Sequence, residues 1–333
     1  MLHITNGDVV VERMRDGGLP GEYLPWRDVL HEGPVPLTSS LAELSSIRAR
    51  YLAECGYGEE AALAADFRNR DAMLSNDSGQ DEIVLWFEHD LYDQLQLLQV
   101  LDGLAVRSPG GAAVSLVIVG AYPGIVRFVG LGQLSAEQVV GLLDTRVPAT
   151  AEHFAAAGHA WSAFRQPTPV ALAALLESNS RLLQYLGVAV QRLLEELPSA
   201  ENGLSRTERT ALGAIAQGVE HPRAIFAELQ AAEPHPFMGD WPFWRILDAL
   251  TRGPEPLLMM AGGNAFSYPP GGPDGFVFDT QRLQITLAGR EVLENRRDAV
   301  KLRMIDRWLG GTHLLPDKVW RWNGENQRLV APS

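Results

Sequence analysis

One apolar run in this chain climbs into three ionisable groups, Ile83-Val84-Leu85-Trp86-Phe87-Glu88-His89-Asp90. A buried strand that ends this way presents two carboxyls and an imidazole at a sheet edge, where open α/β proteins bind ligands. Two earlier candidate strands end similarly, in Asn6-Gly7-Asp8 and in Arg27-Asp28, and the loop after the second holds His31-Glu32-Gly33-Pro34. The carboxyl-terminal ends of parallel strands line one edge, so residues distant in sequence converge there. Carboxylates with histidine suit a Mg²⁺, Mn²⁺ or Zn²⁺ site or a general acid–base pair. The candidate catalytic residues are therefore Asp28, His31, Glu32, Glu88, His89 and Asp90. Asp8, Asp28 and Glu88 would be acidic ligands or bases, and His31 and His89 proton carriers or nitrogen ligands. Asn6, Gly7, Asp8, Arg27 and Gln94 are the candidate ligand-binding residues. The competing structural reading makes Asp8 and Asp90 helix caps, Asp28 a loop brace and His89 a hydrogen-bonded, half-buried side chain. Neither the residue types nor their spacing selects one reaction.

Several other chemistries are disfavoured. Asn6-Gly7-Asp8 has one glycine where a dinucleotide fingerprint needs three, and Asp8 would face the phosphate with like charge. There is no G-x-x-x-x-G-K-[ST] sequence. The one cysteine, Cys55, cannot form an intramolecular disulfide or a multi-cysteine zinc site, so a reducing cytoplasm is the simplest expectation. No apolar window reaches membrane-spanning length, and Met1-Leu2-His3-Ile4-Thr5 reads as a strand, not as a signal peptide. The net charge of −13 lies entirely in residues 1–202, and residues 203–333 are balanced. The acidic half should repel naked polyanions.

The elements that must position these groups alternate as strand and helix. The pattern predicts a Rossmann-like α/β domain over residues 1–148, a mostly parallel sheet with helices on both faces. Strands are expected at Leu2–Thr5, Glu22–Leu24, Ile83–Phe87 and Val114–Val119, with a short fifth at Arg127–Val129. Asp90 reads as an N-cap with Asp93 completing a capping box, and Ser135 and Gln138 form another. A helical connector follows over 149–202, and Pro198–Gly203 reads as a linker. Residues 203–315 read as a winged helix-turn-helix domain. Ser205 and Glu208 form its first capping box, and Asp240 caps its third helix. Leu257–Met260 and Leu283–Ile285 are wing strands, and a final helix runs from Thr286 to near Leu309. Residues 316–333 are a tail.

The segments His3-Ile4-Thr5-Asn6-Gly7-Asp8, Leu24-Pro25-Trp26-Arg27-Asp28, Leu30-His31-Glu32-Gly33-Pro34 and Trp86–Leu95 together resemble domain-of-unknown-function family 1835, a bacterial family. Trp161-Ser162-Ala163-Phe164 and Leu204-Ser205-Arg206-Thr207-Glu208 are similar to the C-terminal part of its longer members. The resemblance implies an N-terminal α/β domain with a winged-helix-like region, and it transfers no catalytic residues.

Two functional classes remain beside a small-ligand site that supports hydrolysis or group transfer with a divalent metal. One is a ligand-sensing regulator whose winged helix binds DNA through Arg245 and Arg252. The other is an adaptor that binds protein without chemistry. Two arginines and Asp248 make a poor groove-reading face, because phosphate contacts supply much of the affinity for DNA.

Overall fold

A computed structural model of the chain describes residues 1–75, 79–106, 111–177, 182–269 and 275–332. The first apolar run forms β1 (Leu2–Thr5), which pairs in parallel with β2 (Glu22–Pro25) on one side and β3 (Glu82–Glu88) on the other. Beyond β3 lies β4 (Ala113–Val119), also parallel. The helices between these strands are α1 (Asp8–Asp16), α2 (Leu41–Glu54), α3 (Glu60–Ser75) and α4 (Leu91–Ala105). After α5 (Ala136–Gly141), the edge strand β5 (Val147–Pro148) closes the order β2-β1-β3-β4-β5 and runs antiparallel to β4. The fifth strand is thus not Arg127–Val129, as the sequence pattern suggested. Arg127 instead spends its guanidinium on the backbone carbonyls of Gln230 and Glu233 in the C-terminal region. Pro148 suits an edge position, where no ladder donor is needed.

Alternation along β3 fills two cores. Ile83, Leu85 and Phe87 join the apolar cluster that includes the inner face of α4. Val84 and Trp86 point to the opposite cluster, with Val10 and Met14 of α1 and Val139 of α5. Strand geometry sends successive side chains to opposite faces, so helices cover both sides of the sheet as expected.

The chain continues through α6 (Ala151–Phe164), α7 (Val170–Ala174) and α8 (Leu186–Leu194). The breaker-rich segment after α8 is no spacer. Asn202 is fully buried and donates to the Val292 carbonyl and to Asn295, so the expected linker is a packed joint. Three helices follow: α9 (Arg206–Ala216), α10 (Pro222–Ala232) and α11 (Asp240–Leu250). The Ser205–Glu208 capping box opens α9, whereas Gly239 is the N-cap of α11 and Asp240 its first helical residue.

β6 (Leu258–Met260) pairs antiparallel with β7 (Leu283–Ile285), and α12 (Gly275–Thr280) lies between them. The long final helix does not form. α13 (Leu287–Leu293) stops before Asn295, whose φ of 59° is a left-handed helix end. A single turn, α14 (Ala299–Leu302), leads to two hairpins, β8 (Arg307–Leu309) with β9 (Thr312–Leu314) and β10 (Arg321–Asn323) with β11 (Arg328–Val330). The last hairpin is no frayed tail, because Trp322 is buried and its backbone bonds to Pro198 and Ala200. No helix among the described residues is long and apolar enough to cross a membrane.

Candidate functional site

The helix after β1 lies on one face of the sheet and the helix after β3 on the other. The two chains therefore part company between adjacent parallel strands, which opens a crevice at their carboxyl ends. Asn6-Gly7-Asp8 leaves β1 there and Glu88-His89-Asp90 leaves β3. A groove of about 400 Å³ runs along it, lined by Asn6, Gly7, Asp8, Glu88, Gly130 and Gln133. Gly7 is the N-cap of α1 and offers no capping side chain.

Glu88 lines that groove, and carboxylate oxygens of Glu88, Asp90 and Asp93 all lie within 4.8 Å of one another, with all three residues buried. Their positions follow from backbone donors. Asp90 caps α4 by accepting the Asp93 N–H at 3.2 Å. The reciprocal half of the expected capping box is absent. Asp93 instead accepts the Glu88 N–H at 2.7 Å and the Asn6 side-chain amide at 2.9 Å. Glu88 accepts the Leu131 N–H at 2.6 Å. A Cβ on Gly130 would stand 2.3 Å from Glu88 Oε2, so only glycine lets that loop approach. Gln94 fixes the turn by donating to the Glu88 carbonyl at 2.6 Å.

Among the described residues, no cationic side chain forms an ion pair with any of the three. Burial, and then the neighbouring carboxyls, hold Glu88 and Asp90 well above the ordinary carboxylic range. Burial raises Asp93 to about 7. Like charges this close in a dry site cannot all ionise unless something positive joins them. An all-oxygen set of carboxylates fits a hard divalent cation such as Mg²⁺ or Mn²⁺. Protons fill the same role when no cation is bound.

The remaining sequence candidates go elsewhere. Asp28 is not part of the trio. It is fully buried against Arg48, at 2.9 Å, with Arg70 3.8 Å from its other oxygen. Arg48 also donates to the carbonyls of Val29 and Glu32, so this ion pair braces the loop. Arg27 and Asp8 pair at 2.6 Å on the surface, with Asp66 on the guanidinium's other side. Asp8 consequently contributes to the rim of the groove and not to its acidic base. His31 sits edge-on to Phe237 and Tyr92, its two ring nitrogens buried and without hydrogen-bond partners among the described residues, and burial drives its pKa down to about 3. Glu32 accepts from Tyr57 and from Arg245, both at side-chain distances under 3 Å. His31, Glu32 and Arg245 border a separate cavity of about 570 Å³ that also touches Tyr51 and Trp308. Arg245, expected on an open face of α11, is thus turned onto the N-terminal loop, and Arg252 pairs with Asp248 at 2.8 Å.

His89 packs its ring against Phe128, Tyr185 and His235, away from the carboxyl trio's own hydrogen bonds. The structure therefore divides one expected constellation into a carboxylate crevice, a histidine pair and a loop-anchoring network. Two members were not singled out in the sequence. Asp93 reads there as a capping residue, and only the juxtaposition of Asn6 and Glu88 reveals its other use. His235 lies between Pro234 and Pro236 in a short loop, which is the single local sign that the position is held rigidly. No protein-family profile matches the chain, and no curated protein is significantly similar to it in sequence.

Proposed function

We propose that the crevice between β1 and β3 binds a small polar ligand and supports hydrolysis or group transfer with a divalent cation. The observation that carries this reading is the trio of buried, mutually facing carboxyls without a cationic partner, located where an open sheet parts its helices. Glu88, Asp90 and Asp93 would hold a hard cation. Such an ion supplies charge that polarises a carbonyl or phosphoryl oxygen. Asn6 orients the trio through Asp93, and the start of α1, which has no side-chain cap at Gly7, borders the groove. Asp8 and its partner Arg27 border the entrance.

Calorimetric titration with Mn²⁺ tests this reading. A saturable site that weakens at least about tenfold in Asp93→Asn supports it. Heat changes identical in the two proteins would refute it.

The resemblance to family 1835 belongs to the same proposal and rests on the motifs alone. We also read α9–α11 with the β6–β7 pair as winged-helix-like. Engagement of Arg245 by Glu32 and of Arg252 by Asp248 supports internal packing over DNA contact for that unit.

A further inference from the structure

A second cavity, of about 140 Å³, lies between the end of β3, helix α8 and the loop after α10. Its wall includes His89, Asp90, Gln191, Arg192, Glu233 and His235. Asp90 belongs to the carboxyl trio, and the arginines and glutamates of that wall pair with one another. Arg192 reaches Glu233 at 2.6 Å and Glu196 at 2.7 Å, and Arg206 reaches Glu195 at 2.7 Å. The two imidazoles differ. Nδ1 of His89 and Nδ1 of His235 are both buried, and neither has a hydrogen-bond partner among the described residues. Their rings meet at right angles with centroids 4.6 Å apart.

Packing alone does not account for this pair. A buried polar atom left unpaired is destabilising, and a leucine or phenylalanine would fill the same space without that cost. His89 is 3% exposed, and its unpaired Nδ1 lies within that wall. Imidazoles that bind one ion at about 2.1 Å place their centroids about 3.2 Å from it, so rings whose centroids lie 4.6 Å apart are close enough to share one.

We propose that His89 and His235 form a nitrogen-donor site for one borderline transition-metal ion, of the Zn²⁺, Co²⁺ or Ni²⁺ class. Its other positions are open to water or a small ligand in the cavity. The site is chemically distinct from the oxygen-only trio, because imidazole favours these ions over Mg²⁺. It stands independently of the crevice reading.

The test titrates the chelator-treated 333-residue protein with Co²⁺ and follows visible absorption. With the carboxylate trio held by excess Mg²⁺, wild type is expected to develop ligand-field bands that saturate at one equivalent of Co²⁺ and disappear when Zn²⁺ is added. His235→Ala, in a half-exposed loop, and His89→Gln should each weaken Co²⁺ binding at least about tenfold. Asp93→Asn should leave it unchanged, which separates this site from the trio. Absence of saturable binding below about 1 mM Co²⁺ overturns the proposal. So does binding that His235→Ala leaves intact in protein whose circular dichroism shows it folded.

Discussion

Glu88, Asp90 and Asp93 are held by amide donors, and the directions of their pKa shifts make them testable. A carboxyl whose pKa is raised on folding keeps its proton in the native state while the unfolded chain loses it. Stability from these groups is therefore complete below about pH 4 and is lost as pH rises through the folded value, about 7 for Asp93. Asp93→Asn should flatten the pH dependence of urea midpoints between pH 5 and 8 relative to wild type, a difference of about 4 kcal/mol at most. Millimolar Mg²⁺ should do the same to wild type at pH 8. Asp28 belongs to a different class of residue. Asp28→Asn strands the fully buried Arg48 and should cost about 3–5 kcal/mol in chemical denaturation, with Mn²⁺ affinity of the folded fraction unchanged. At this scale the sequence was half legible. Glu88-His89-Asp90 and Asn6-Gly7-Asp8 announced the crevice, since they follow apolar runs. Asp28 could not be assigned, because its partners Arg48 and Arg70 lie on helices whose approach is a tertiary event.

The elements that carry the crevice were the most readable part of the chain. β1, β3, β4, α1 and α4 follow from period-2 and continuous apolar runs punctuated by turn residues. The pattern failed where local signals had competitors. Residues 127–129 have strand-like composition, yet the loop is drawn to Glu88 through Gly130 and Leu131 and to α10 through Arg127. Helical spacing from 286 onward gave no warning of the left-handed turn at Asn295 or of the hairpins beyond it. The Gly130 loop also yields a prediction. Gly130→Ala drives a methyl group into Glu88 Oε2 and should lower stability by about 1–3 kcal/mol. The same substitution should weaken Mn²⁺ binding, which titration of the variant checks, while Gly132→Ala should be far milder because its added Cβ meets only Val9 at 3.3 Å.

Across the whole molecule, one apolar cluster runs from Leu2 and Phe87 in the sheet through Trp161 and Leu193 to Phe243, Leu258 and Trp322. Charge balance and breaker residues suggested separable units, because composition cannot reveal that Asn202 and Trp322 seal the junction between them. A shared core should unfold as one calorimetric transition. Separate transitions for the two halves would show that the joint is weak. The Arg245–Glu32 contact fastens α11 to the N-terminal loop, and Arg245→Ala should lower stability by about 1–2 kcal/mol in urea titrations. The most direct measurement of the central claim is an anomalous difference map from crystals grown with Mn²⁺. The expected result is one peak bonded to oxygens of Glu88, Asp90 and Asp93. Well-ordered carboxyls in the same positions with no peak among them, at saturating Mn²⁺, would contradict it.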